Sequence, residues 1–329
     1  MSTLRQHAER HRLARLLEVP PERLDFLRLL ESGELASLHQ ACRLALRDAH
    51  RPLFRRLARS SRLLPATLTA WIAEHSLGAL LAARIAGEMS IPATLTLCQH
   101  LSSAFMAEVT LHMDMERLTD LAQALPMEDV HDIAHELLAR GEYMALGELV
   151  DRMPPGIIHR VAAEITRGED LLRTSLFIGD TARLMALLGQ LPPAAIGRLV
   201  RAAADPALGL MPQGLLLLQR VTPAWQRRLV DTALVEGQDV LTGSVHEVRR
   251  LGLWADAVPL VALMDRAARH KLLGLPVWED SAVLADALRQ AADPGLRPHV
   301  LGLLTELPPA ARERALAVLA RANAVPPPA

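Results

Sequence analysis

LMALLGQLPPAAIGRLV, residues 184–200, decides how the rest of the chain is read. Before its turn stand Leu187 and Leu188, three and four residues ahead of Leu191. After the turn, Leu199 and Val200 lie eight and nine residues beyond the same anchor. Apolar residues at intervals of three and four line one face of a helix, and proline fits the first helical turn because its missing N–H would have no partner there. The stretch therefore predicts a helix, a tight turn and a second helix.

The pattern recurs along the chain. Taking the last apolar residue before each turn gives the anchors Leu101, Leu125, Met153, Leu191, Val221, Met264 and Leu307. Pairs such as Leu121/Ala122, Leu149/Val150, Leu217/Leu218, Leu260/Val261 and Leu303/Leu304 precede them. Ile133/Ala134, Val161/Ala162, Leu229/Val230 and Leu272/Leu273 follow. The residue after the anchor is Pro126, Pro154, Pro192, Thr222, Asp265 or Pro308, and Thr and Asp are expected to cap the second helix. Anchors fall 24, 28, 38, 30, 43 and 43 residues apart, too irregular for fixed-period repeats. The expected fold is an all-α solenoid, a HEAT-like superhelix of stacked helix pairs without a sheet. Asp205-Pro206 and Asp293-Pro294-Gly295 read as loops between units. The expected organisation is a basic helical cap over 1–63, repeats over 64–322 and a Pro-rich tail over 323–329, in one continuous domain.

Composition agrees. Half of the 329 residues are hydrophobic but only 3% are aromatic, and Leu, Ala and Arg favour helix over sheet. Two cysteines, Cys42 and Cys98, make no disulfide framework and fit a reducing compartment. The charged first residues lack the apolar core of a signal peptide, and no run of about 18 uncharged apolar residues is present. The expected location is the cytoplasm. Lys271 stands alone beside 35 arginines, the bias expected of a GC-rich bacterial genome.

The repeated Leu-x-x-Leu-Pro-Pro phrase, over roughly 82–320, resembles the cytosolic N-terminal superhelical domain of MgtE-type magnesium transporters. In that family the domain precedes paired CBS domains and a transmembrane channel, and neither is seen in this sequence. The resemblance thus implies the fold and a regulatory, divalent-metal-responsive role, and it does not imply transport.

Charge is divided unevenly. Residues 1–62 hold 13 Arg against 7 acids, whereas 107–180 hold 15 acids against 6 Arg. Arg51, Arg55, Arg56, Arg59 and Arg62 form the candidate interaction site, with Phe54 and Leu57 expected to face the core. A protein partner is the leading expectation. Self-association through the basic start and acidic middle is a second, and nucleic acid or an anionic membrane is a poorer fit because no stacking aromatics are interleaved.

His131-Asp132-x-x-His135 places two imidazoles on one helix face, as in HExxH zinc sites, but with Asp where the catalytic Glu would stand. His131, His159 and His270 lie six residues past their anchors, a place taken elsewhere by Gly197, Arg227 and Glu313. This reads as a solvent-facing slot, with His131, His135 and His159 the candidate metal ridge. Cys98, His100, His112, Met113 and Met115 carry soft-metal chemistry, but Cys98 and Met113 fall at core positions; Asp114, Glu116 and Asp120 could hold a hard cation. Trp254 and Trp278 are expected in a groove or at a junction between units. Neither P-loop, GxGxxG nor GxSxG is present. The expected function is a non-enzymatic interaction scaffold without a cofactor; the alternatives are a metal-responsive module and an enzyme using His131 and His135.

Overall fold

The computed structural model describes residues 19–262, 264–290 and 293–324, with positions 6, 10, 11, 13, 14, 16 and 17 before them. Among these the chain is helical throughout, without a strand. It divides into two compact units, 1–145 and 146–329. Residues 325–329 of the expected tail lie outside the described residues, and 323–324 end the last helix.

The first unit contains α1 (Ser32–Ser60), α2 (Ala66–Ile72), α3 (Gly78–Gly87), α4 (Ile91–Cys98), α5 (Ser103–His112), α6 (Met115–Ala124) and α7 (Met127–Ala139). Helices two apart pack together: α1 on α3, α3 on α5 and α5 on α7 in one layer, α2 on α4 and α4 on α6 in the other. This is the packing of a two-layer solenoid, in which each unit buries its stripe against the next. Helix α1 serves two cores. Leu35 joins Leu13, Leu24 and Leu27 in a small N-terminal core, while Ala58 joins Ile85 and Met89 further along. Pro52 separates the two halves.

The division between the units falls inside α8 (Tyr143–Arg152). There follow α9 (Pro155–Glu164), α10 (Gly168–Phe177), α11 (Thr181–Gln190), α12 (Pro193–Ala204), α13 (Met211–Arg220), α14 (Pro223–Glu236) and α15 (Gln238–Leu251). The chain then runs through α16 (Trp254–Ala262), α17 (Arg266–Leu273), α18 (Ser281–Arg289), α19 (Arg297–Glu306) and α20 (Pro309–Ala324). All seven anchors stand between consecutive helices. The irregular spacing now has a cause. Intervals of 24, 28 and 30 residues contain two helices, and those of 38 and 43 contain three, the additions being α10, α15 and α18. Accordingly α12 packs on α15, α14 on α17, α15 on α18 and α16 on α19, three apart, in addition to two-apart contacts such as α10 on α12, α12 on α14 and α18 on α20.

The turns differ in detail from expectation. In the Pro-Pro turns the first proline, Pro154 or Pro192, occupies the N-cap, and the second, Pro155 or Pro193, is the first helical residue. Asp265 caps α17 by accepting from the Ala268 N–H at 2.7 Å, but the Thr222 side chain makes no capping bond. There Pro223 occupies the first helical position.

Arginines staple one unit to the next. Arg117 donates to the Met89 carbonyl, and Arg183, at the same place in α11, donates to Val150 (3.2 Å) and Met153 (2.7 Å). Arg220 reaches the Ser175 and Leu176 carbonyls at 2.8 Å each. Helix C-termini leave carbonyls without intrahelical donors, and a guanidinium carries enough N–H groups to satisfy several at once. Helices α10 and α12 approach closely at Gly168, where a Cβ would run into the backbone of Arg198.

Candidate functional site

The five arginines separate into two groups. Arg51 Nε donates to Glu88 Oε1 at 2.7 Å and Arg55 Nε to Glu88 Oε2 at 2.8 Å. Partial burial pushes the Glu88 carboxyl up, but hydrogen bonds from Arg55 and Arg51 outweigh this and hold it below its ordinary value. This pair clamps the end of α3 to α1. Arg56, Arg59 and Arg62 are exposed and enter no ion pair among the described residues.

Leu57 departs from its expected core position. Phe54 and Ala58 take the inner face of α1, and Leu57 is 41% exposed. At 100° per residue, Leu53, Arg56 and Leu57 share a face turned away from Phe54 and Ala58. Just beyond the Ser61–Leu63 turn, Leu64, Leu68 and Trp71 are also exposed, Leu68 and Trp71 sharing a face of α2. The Thr69 hydroxyl lies 3.5 Å from the Ser61 carbonyl, which keeps α2 near the end of α1. Trp71 has one ring neighbour given by the structure. His75 stacks on it with ring centroids 5.1 Å apart and planes 13° from parallel, and His75 Nδ1 lies 3.0 Å from the Trp71 carbonyl. The backbone there makes a π-helical turn, Ala73–Leu77, closed by Gly78 at a φ of 75°. From residue 49 to 73 there is no acid. The arrangement is an apolar surface with a cationic rim that enters no ion pair among the described residues. The sequence signal was the spacing of Leu64, Leu68 and Trp71, which also fits a buried repeat helix.

The histidine slot is not uniform. Arg227, His270 and Glu313 are exposed, but His131 and His159 are half-buried and Gly197 is fully buried. Glu236, held by Arg201, lies over Gly197 and occupies the space a side chain would need. Burial lowers the pKa of His159 and favours its neutral ring. His131 and His135 both lie on α7, the first half-buried and the second exposed; His159 lies on α9 in the other unit. Among the described residues no group of three His, Cys, Asp or Glu is placed to hold a metal. Burial and the Asp129 carboxylate push the Cys98 thiol up to about 11, so it stays protonated at neutral pH. Asp114 stands at the N-cap of α6, where Glu116 lies in the first turn; Glu116 and Asp120 are exposed.

Trp254 and Trp278 are both buried, with rings 6.1 Å apart in the core of the second unit. No helix among the described residues is long and apolar enough to cross a membrane. Compared with family models, curated proteins and solved structures, the chain matches none.

Proposed function

We propose that this protein is a non-enzymatic interaction scaffold of the cytoplasm, and that its docking face is the outer surface of α1 and α2. The reading rests on one observation: Leu53, Leu57, Leu64, Leu68 and Trp71 are exposed beside Arg56, Arg59 and Arg62, which enter no ion pair among the described residues. Trp and Arg are the residues that most often anchor protein interfaces, and a Trp already stacked on His75 has less freedom to lose on binding. The occupant that fits is an amphipathic helix with an apolar stripe and acidic flanks, supplied by a partner protein. Its stripe would cover the leucines, and its acids would meet arginines that enter no ion pair among the described residues.

The test is a titration of the full chain with two synthetic helical peptides sharing one leucine stripe, one flanked by Glu and the other by Lys. The account expects the Glu peptide to bind, more weakly at high salt, and the Lys peptide not to bind. Equal binding of both peptides, or of neither, would contradict it. So would tighter binding to phosphatidylglycerol vesicles, or salt-sensitive self-association of the chain alone.

A further inference from the structure

Arg51, Arg55 and Arg59 stand four residues apart along α1 and form one ridge of that helix. Arg59 is also three residues from Arg56, so it joins this ridge to the face that carries Leu53 and Leu57. The first part of the ridge is occupied. Glu88 accepts from Arg51 Nε on one carboxylate oxygen at 2.7 Å and from Arg55 Nε on the other at 2.8 Å. Glu88 is the C-cap residue of α3, where the helix dipole disfavours a negative charge. The carboxylate therefore owes its place to the arginines and not to its own helix. The two arginine side chains stay 44% and 53% exposed, against 14% for Glu88. A guanidinium carries five N–H donors, so the one bond to Glu88 does not use up either arginine.

We propose that Glu88 is an internal competitor for the partner's acids, and that it sets where the acidic flank of the docked helix ends. The inference rests on the docking reading given above. Acids of the partner meet Arg56 and Arg59. One helical turn further toward Arg51, about 6 Å along the ridge, the Glu88 carboxylate already bridges Arg55 and Arg51. An acidic run that is one turn too long thus sets a carboxylate beside a carboxylate. Like charges brought together across an interface fix register and reject the wrong partner. Glu88 gives the site this selectivity from within the chain.

The test is a mutant cycle on the full chain, read with the Glu-flanked and Lys-flanked leucine peptides. Glu88→Gln keeps the shape of the side chain and releases the charges of Arg51 and Arg55. It should bind the Glu peptide about fivefold more tightly, the scale of two exposed ion pairs, with a steeper salt dependence. The Lys peptide should still not bind. Adding Arg51→Ala and Arg55→Ala to Glu88→Gln should remove the gain. Circular dichroism checks the fold of each variant. Should Glu88→Gln not fold, wild type decides: a Glu peptide with one further acidic turn at either end should bind no more tightly than its parent. The inference alone is overturned if wild type binds the Glu peptide and Glu88→Gln binds it no better. It is overturned equally if the gain survives loss of both arginines, or if the longer acidic peptide binds wild type more tightly. No binding by wild type or any variant would instead remove the docking reading, and this inference with it.

Discussion

His75 stacks on Trp71, the most exposed tryptophan of the described chain, with centroids 5.1 Å apart, and its Nδ1 lies 3.0 Å from the Trp71 carbonyl. A side chain 55% open to solvent contributes little to the core. Trp71→Ala should change stability by less than about 0.5 kcal/mol, as usual for surface sites. It should weaken capture of the acidic peptide by about tenfold or more, the loss expected of a central anchor. Thermal melts and fluorescence anisotropy on the same preparations check both.

The arginines should divide as the structure divides them. Arg56→Glu with Arg59→Glu should abolish acidic-peptide binding and leave the melting temperature nearly unchanged. Arg51→Ala with Arg55→Ala should lower the melting temperature, because it leaves the half-buried Glu88 carboxylate without its donors.

Acid should act through carboxylates held by arginine. Arg250 holds Glu247 below its ordinary value against desolvation, and Glu88 and Glu169 are lowered as well. A lowered folded pKa means that the unfolded chain takes up its protons first. The stability these groups contribute is therefore complete above about pH 4.5 and falls as pH drops through the lowered folded values. Equilibrium urea unfolding from pH 6 to pH 3 should show this loss, and Glu88→Gln should make it shallower.

Arg183→Met removes the donor to two carbonyls while keeping the aliphatic stem. It should cost about 1.5–3 kcal/mol, the range for hydrogen bonds to a charged group. Gly168→Ala should cost about 1–3 kcal/mol by forcing α10 away from α12. Denaturant midpoints with an unchanged m-value would show that each acts on the folded state.

Trp254→Phe carries the opposite sign. Removing a buried donor that has no acceptor among the described residues should stabilise the chain by up to about 1 kcal/mol, seen as a higher urea midpoint.

The fold was readable because it is written in spacing. The pairs flanking Leu191 and Val221 state the helices, and Pro192 and Thr222 mark where they break. The third helix in the wider units was harder to see. Helix α10 begins at Gly168 without a proline-marked turn, so its stripe of Leu171, Leu172 and Ser175 has no anchor of the repeated kind. The candidate site was only half readable. Spacing cannot tell whether Leu57 or Leu68 faces a neighbour or water, since both fit a core stripe until the packing of α1 and α2 is known. Nor could it show that Arg51 and Arg55 are engaged, because Glu88 is remote in sequence. The unpaired N–H of Trp254 depends on helices brought together only by the fold.

The most direct measurement is photo-crosslinking in living cells from a benzoylphenylalanine placed at Leu68. Run beside it are the same protein with Arg56→Glu and Arg59→Glu and a control label at exposed Val235 in the second unit. The account predicts one discrete cross-linked protein from position 68, with an acidic, leucine-striped helix at the cross-link. That product should vanish in the charge-reversed variant and be absent from position 235. Cross-links that survive charge reversal, or that fall on lipid or on a second copy of the chain, would contradict it.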